Sequence, residues 1–186
     1  GLWHVSDFII TLTSTGQYSS VIEIYYRIND GPIRQLSVDG QPLITTEGAN
    51  NALEYWSVDN VGNEETHHTI FDIKLDKTAP SADAGPDITI TEDTLMNFDG
   101  SNSNDNIAIT KYTWVILDGS LQTLDGINAQ YIFHTPGVFN VNLTVTDSAQ
   151  NIMGDSITVT VIDITAPLAN AGDDHVINEG NMVTFD

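Results

Sequence analysis

A stretch of this chain is written twice. Asp76-Lys77-Thr78-Ala79-Pro80 returns 87 residues later as Asp163-Ile164-Thr165-Ala166-Pro167, and the match runs on without a gap. Ala82, Ala84 and Gly85 answer to Ala169, Ala171 and Gly172. Asp87, Ile90 and Glu92 answer to Asp174, Ile177 and Glu179, and Phe98-Asp99 to Phe185-Asp186. Over 76–99 against 163–186, 12 of 24 positions are identical, which chance does not give at one fixed offset. A repeat at this spacing means modules in series. The boundaries follow: one module over 1–76, a second over 77–165, and the opening of a third over 166–186. Each junction carries Thr-Ala-Pro, and proline fixes its own φ and holds the preceding residue extended. Short linkers of this kind imply a semi-rigid rod. The abrupt start and finish suggest a segment of something longer.

The strands announce themselves by alternation. Phe8, Ile10 and Leu12 alternate with polar or outward positions. So do Ile22, Ile24, Tyr26 and Ile28, then Leu53, Tyr55 and Ser57, then Phe71, Ile73 and Leu75. In the second module Ile88/Ile90, Tyr112/Trp114/Ile116, Phe139/Val141/Leu143/Val145 and Ile157/Val159/Val161 repeat the pattern. Turn signals at Asn29-Asp30-Gly31-Pro32, Asp39-Gly40 and Asn60-Val61-Gly62-Asn63 separate the runs. Nothing sustains a helical period. The expectation is an all-β chain of tandem immunoglobulin-like antiparallel sandwiches.

Composition narrows the partners. Twenty-six acidic residues against 5 basic ones give a formal charge of −21. Such a surface repels phosphate, so neither nucleic acid nor an anionic membrane surface is expected as a partner. No run approaches the ~20 apolar residues of a membrane span, so direct membrane insertion is not expected. With no cysteine there are no disulfides and no thiolate metal sites.

Residues 82–161 resemble a PKD domain, the immunoglobulin-like module named after polycystin. The residues that carry the likeness are Ala84-Gly85-Pro86-Asp87, Phe98-Asp99-Gly100-Ser101, Ser103-Asn104-Asp105, Tyr112-Thr113-Trp114 and the run Pro136–Asp147. Two departures stand out. The family's Trp-Asp-Phe-Gly-Asp-Gly turn is here Trp114-Val115-Ile116-Leu117-Asp118-Gly119, and Phe139 replaces a usual tyrosine, which removes any corner hydrogen bond from a hydroxyl. Residues 1–76 resemble the Ig-like modules that precede such repeats in bacterial and archaeal surface proteins, through Gly1-Leu2-Trp3-His4, Tyr25–Gly31 and Glu54–Asn63. The resemblance implies a non-catalytic structural and adhesive spacer at the cell surface or in a secreted protein. Its partners would be neighbouring modules, other surface proteins, glycans or copies of itself. A self-assembling surface-layer or filament subunit, and an accessory module of an extracellular hydrolase, are the alternatives.

No catalytic signature is present: no Gly-x-Ser-x-Gly, no His-Glu-x-x-His, no phosphate loop. His67 and His68 are neighbours, and on a strand adjacent side chains point to opposite faces, so they chelate poorly together. No cofactor is required by anything in the sequence. The one candidate ion is calcium, which takes six to eight oxygen ligands from carboxylates and carbonyls of flexible loops. Near the first joint the sequence offers Asp59, Asp76, Asp83 and Asp87; near the second it offers Asp147, Asp163, Asp173 and Asp174. The layout is similar to cadherin junctions, although Thr165 stands where their Asn-rich core would be. Asparagine and aspartate also cap turns with their own side chains, an explanation that needs no metal. Asn142-Leu143-Thr144 is the only glycosylation sequon, and alternation turns Asn142 outward. Trp56 is likewise turned outward from Leu53 and Tyr55, which makes it the candidate sugar-binding aromatic. Finally, half a sandwich cannot cover its own apolar face, so Val176, Ile177, Val183 and Phe185 need partners, in the chain or on another copy.

Overall fold

The computed structural model describes residues 1–14, 21–168, 178–180 and 182. Asp173, Asp174, Val176, Ile177, Val183 and Phe185 lie outside the described residues, as does the side chain of Ile22. Among the described residues the regular structure is almost all β, and its strands form two sandwiches of the same topology.

In the first sandwich the strands are β1 (Trp3–His4), β2 (Phe8–Ile9), β3 (Val21–Ile28), β4 (Arg34–Gln35), β5 (Leu43–Ile44), β6 (Gly48–Asp59) and β7 (His68–Leu75). A single helical turn, α1 (Leu36–Asp39), sits between β4 and β5. One sheet has the order β1-β7-β6-β3-β4 and the other is the pair β2-β5. The second sandwich uses β8 (Ile88–Thr91), β9 (Leu95–Asp99), β10 (Ile109–Asp118), β11 (Ser120–Asp125), β12 (Asn128–Ile132), β13 (Gly137–Asp147) and β14 (Ile152–Ile162). Its sheets are β11-β10-β13-β14-β8 and β12-β9, the same arrangement strand for strand. In both, the first strand pairs in parallel with the last: β1 with β7, and β8 with β14.

Alternation places the cores. In the first sandwich Leu12, Ile24, Tyr26, Ile44, Leu53, Ile73 and Leu75 form one buried cluster. In the second, Trp114 lies at the centre, fully buried, its ring 5.2 Å from that of Phe98 and its Nε1–H donating to the Gly126 carbonyl (3.1 Å). Gly100 packs against this centre. A methyl group there would sit 3.2–3.3 Å from Tyr112, Leu143 and Trp114, so the small residue lets the chain pass close by. Where Phe139 replaces tyrosine its ring packs on Phe133 at 4.7 Å. The altered turn keeps one polar link, Tyr131 Oη donating to Asp118 Oδ2 (3.1 Å). Asn29 and Asp30 both adopt positive φ, the backbone of a tight hairpin turn that asparagine and aspartate tolerate.

Strict alternation fails in β7. It predicts Phe71, Ile73 and Leu75 on one inner face, but Phe71 is 70% exposed. Leu53 pairs with Ile70 and Asn51 with Ile73, so β7 holds one residue more than β6 over that span. The extra residue is taken up where Asp72 turns to φ +56°. A bulge of this kind moves every side chain beyond it to the other face.

Candidate functional site

The acidic residues of the joints are sorted by hairpin geometry. A strand advances about 3.3 Å per residue, so the turn of a long hairpin lies far from the place where its second strand leaves the module. The β6–β7 turn is therefore at the pole opposite Leu75, and Asp59 with it. That corrects the sequence-based placing of Asp59 at the first joint. Asp59 organises its own turn instead: Oδ1 accepts from the Val61 and Asn63 amides (3.0 and 2.8 Å), and Oδ2 from Asn63 Nδ2 (2.9 Å). By the same reasoning Asp147, at the turn between β13 and β14, belongs to the entry pole of the second module. Sequence proximity had put it at the second joint; the structure puts it at the first.

Three carboxylates meet there. Asp76 directly follows β7, and its amide donates to the His4 carbonyl (2.9 Å), continuing the β1–β7 ladder by one residue. Asp147 ends β13. Asp105 lies in the loop before β10, and it arrives because β10 runs antiparallel to β13, with Ile109 opposite Asp147. One oxygen from each of Asp76, Asp105 and Asp147 lies within 4.8 Å of the others. Asp76 and Asp147 are fully buried.

The backbone holds each carboxylate by one side. Asp105 Oδ2 accepts from the Ile107 and Ala108 amides (both 2.8 Å). Asp147 Oδ1 accepts from Ala149 and Asn151 amides (2.7 and 2.9 Å), and its Oδ2 from Asn151 Nδ2 (2.8 Å). Asp76 Oδ1 accepts from the Thr78 amide (3.3 Å). The remaining oxygens of two of them, Asp76 Oδ2 and Asp105 Oδ1, are buried and accept nothing. Such atoms are rare, because an unsatisfied buried polar group costs about 1–3 kcal/mol and a charged one more.

No lysine, arginine or histidine among the described residues pairs with these three. The bridging cations are spent elsewhere: Lys77 on Asp7 (2.7 Å), Arg27 on Glu54 and Asp30, Arg34 on Asp39. Two like charges within 4.8 Å of each other repel by at least about 3 kcal/mol at an effective dielectric of ~20. Burial, then the neighbouring charges of Asp147 and Asp105, accordingly push the Asp76 carboxyl above its ordinary range, while the Thr78 amide and the Asn106 side chain pull it partly back.

The other candidate acids have turn or strand duties. Asp83 Oδ1 accepts from the Gly85 amide (2.9 Å), Asp87 Oδ1 from the Thr158 amide (2.7 Å), and Asp163 Oδ1 from the Thr165 amide (2.8 Å). Asn142 is exposed on the outer face of β13, where its Oδ1 accepts from Asn140 Nδ2 (3.3 Å). Trp56 lies on the face opposite the core, as alternation predicts, but it is only 5% exposed. His67 stacks on its ring at 3.9 Å and Tyr25 lies 5.9 Å away. A covered ring offers no platform to a sugar, so the expectation of an exposed Trp56 is corrected. His67 in turn sits between Glu54 and Glu64, each 2.7 Å from a ring nitrogen. Those two carboxylates, Glu64 first, raise its pKa above the usual 6.5.

Comparison with known proteins gives a family for one module. Residues 77–161 match the family model described as the PKD domain. Among solved structures the chain is similar to the fibronectin(III)-like modules of Clostridium thermocellum CbhA, at 14% identity over 86% of this chain and 87% of that one, with a TM-score of 0.40. It is also similar to the PKD domain from KIAA 1837 protein, at 25% identity over 50% of this chain and 96% of that one, with a TM-score of 0.38. No curated protein matches the chain significantly. PKD domains are, as a rule, non-catalytic structural or binding modules found outside the cell, and no helix among the described residues is long and apolar enough to cross a membrane. The second sandwich, with Trp114 at its centre and Asp105 and Asp147 at its entry pole, is the part of the chain that matches the PKD domain model.

Proposed function

We propose that this chain is part of an extracellular array of β-sandwich modules, a structural and adhesive spacer whose joint is stiffened by calcium. The observation that supports this is the pair of buried, unpartnered carboxylate oxygens, Asp76 Oδ2 from the first module and Asp105 Oδ1 from the second. With Asp147 they bring three negative charges to one point from both sides of the joint. A hard divalent cation offsets that repulsion and gives each oxygen a partner. Calcium suits the set better than magnesium. It accepts carboxylates in irregular geometry and takes further carbonyls or water to reach six to eight oxygens, whereas magnesium demands a near-ideal octahedron. Binding to the folded state alone stabilises it by about 2.7 kcal/mol when free calcium is 100 times the dissociation constant.

The test is calorimetric. Titrating the chain with calcium should show one site per chain and a rise in melting temperature of several degrees, with a much smaller effect of magnesium. Asp105→Asn should lose the heat of binding and the shift together. A parent chain whose melting temperature does not move at millimolar calcium refutes the reading.

A further inference from the structure

The two sheets of the first sandwich are unequal: five strands face the pair β2-β5. Beside edge strand β4 they leave a cleft of about 400 Å³, with Tyr26, Ile28, Pro32, Arg34, Asp39 and Leu43 in its lining. Arg34 on β4 stands directly opposite Tyr26 on β3, and side chains directly opposite share a face of the sheet. The arginine is therefore carried on the inner face, where a sandwich ordinarily places an apolar core residue.

The amide side chains around the cleft are already committed. Gln41 Oε1 accepts from the Leu12 amide (2.7 Å), and its Nε2 donates to the Leu12 carbonyl (3.1 Å). Asn29 Nδ2 donates to Asn51 Oδ1 (2.6 Å), and its Oδ1 accepts from the Ala52 amide (2.8 Å). Tyr26, Arg34 and Asp39 are not committed in this way. Tyr26 is only 2% exposed, yet its hydroxyl bonds to none of the described residues. The guanidinium of Arg34 has Asp39 Oδ1 at 3.9 Å, which is beyond hydrogen-bond reach. Asp39 gives its other oxygen to the Gln35 amide (2.8 Å) and keeps Oδ1 towards Arg34. Burial raises the Tyr26 pKa, against a smaller lowering by Arg34 and with a further push from Asp39, so the phenol stays a donor at neutral pH.

An inward charge can serve merely to blunt a sheet edge, but that role does not leave a buried phenol without a partner. Buried tyrosines usually bond their hydroxyl, as Tyr131 in the second sandwich does with Asp118 (3.1 Å). There β11 is the counterpart of β4, and it sets Leu124 opposite Trp114 and packs it on the core. The inward arginine and the free phenol thus do not come with the fold.

We propose that this cleft binds one neutral sugar residue through two neighbouring hydroxyls, one held between Arg34 and Asp39 and the other by the Tyr26 hydroxyl. The site gives the adhesive part of the function above a definite location, and rests on that reading only for its setting outside the cell. It uses none of Asp76, Asp105 and Asp147. Charge decides the class of ligand. A carboxylate would suit Arg34 and Tyr26, but it would meet Asp39 at a distance where repulsion rivals the attraction to Arg34, on a chain of formal charge −21. A hydroxyl both donates and accepts, so a neutral diol satisfies guanidinium, carboxylate and phenol together. Ile28, Pro32 and Leu43 offer apolar surface to the C–H faces of the ring. The volume lies near the lower end of small-ligand clefts, about 300–1,000 Å³, which suits a single residue better than a length of polymer.

The test is an NMR titration of the whole chain with the methyl glycosides of glucose, mannose and galactose at millimolar concentration, and with methyl glucuronoside as the charged counterpart. Chelator is present throughout, so that no sugar is held through calcium. At least one neutral glycoside should shift the backbone amides of Tyr26, Arg34 and Asp39 in a saturable way. Tyr26→Phe should weaken that binding by about threefold to tenfold, and Arg34→Gln by roughly tenfold or more. Because the Tyr26 hydroxyl has no partner to lose, Tyr26→Phe should melt no lower than the parent, which separates a lost contact from a lost fold. No shift at these residues with any neutral glycoside overturns the proposal and leaves Arg34 as an edge guard. Tighter binding of the glucuronoside overturns it in favour of a carboxylate site. Repeating the titration in calcium should change nothing, and a joint that takes up no calcium leaves this result standing.

Discussion

At the scale of single residues, Asp76 illustrates a side chain that costs the fold something and is nonetheless kept in place by it. It is fully buried, its Oδ2 has no donor, and its carboxyl is pushed upward by burial and by Asp147. Asp76→Asn removes the charge and retains an oxygen for the Thr78 amide. In chelator this variant should melt higher than the parent, by an amount corresponding to about 1–3 kcal/mol, and it should show no response to calcium; differential scanning calorimetry checks both. His67 behaves in the opposite sense. Its pKa is raised by Glu64 and Glu54, so the stabilisation it brings is fully present below 6.5 and is lost as pH rises through its higher folded value. Because the imidazole stacks on Trp56 at 3.9 Å and its protonated form quenches indole, Trp56 emission should rise across a midpoint above 6.5, and Glu64→Gln should lower that midpoint.

At the scale of elements, the hairpins decide both what the sequence tells and what it hides. Alternation and turn chemistry made the sandwiches legible, because period-two burial is a local property that each strand carries by itself. The β7 bulge was hidden, since one extra residue against Asn51–Leu53 leaves no mark in the sequence of β7 alone. It has a measurable consequence. Phe71→Ser should change stability by no more than about 0.5 kcal/mol, as at an ordinary surface site, while Ile73→Ala should cost about 2–5 kcal/mol. Denaturant unfolding of the two variants separates them. The acidic site was half legible for a related reason. Asp76 and Asp147 stood out as acids near linkers, but grouping them by distance along the chain assigned Asp147 to the wrong joint and passed over Asp105. Strand length would have corrected the first error, because the turn of a hairpin with two eleven-residue strands cannot lie at its own exit. Antiparallel pairing of β10 with β13 would have corrected the second, since it brings the loop before Ile109 to the turn after Asp147.

At the scale of the whole molecule, the joint is held by two kinds of contact with different demands. Glu47 and Asn151 tie linker to modules by hydrogen bonds, Asn151 Nδ2 reaching the Asp76 carbonyl at 3.3 Å, and these need no ion. The carboxylate cluster opposes them until a cation is bound. Spin labels placed one on each module should therefore give a broad distance distribution in chelator that narrows in calcium, and in Asp76→Asn the distribution should not respond to calcium. The terminal strands add a mechanical property. Each module begins and ends on neighbouring parallel strands, so tension along the chain pulls β8 and β14 past one another and loads their bonds together, where an antiparallel pair would unzip bond by bond. Four residue pairs resist in the second module, Ile88 to Thr91 against Val159 to Ile162, and only two in the first, Trp3 and His4 against Lys74 and Leu75. Stretched in a force spectrometer, the chain should give way in two steps, the first module yielding at lower force: a tether with a built-in weak stage that lengthens before its stronger neighbour fails.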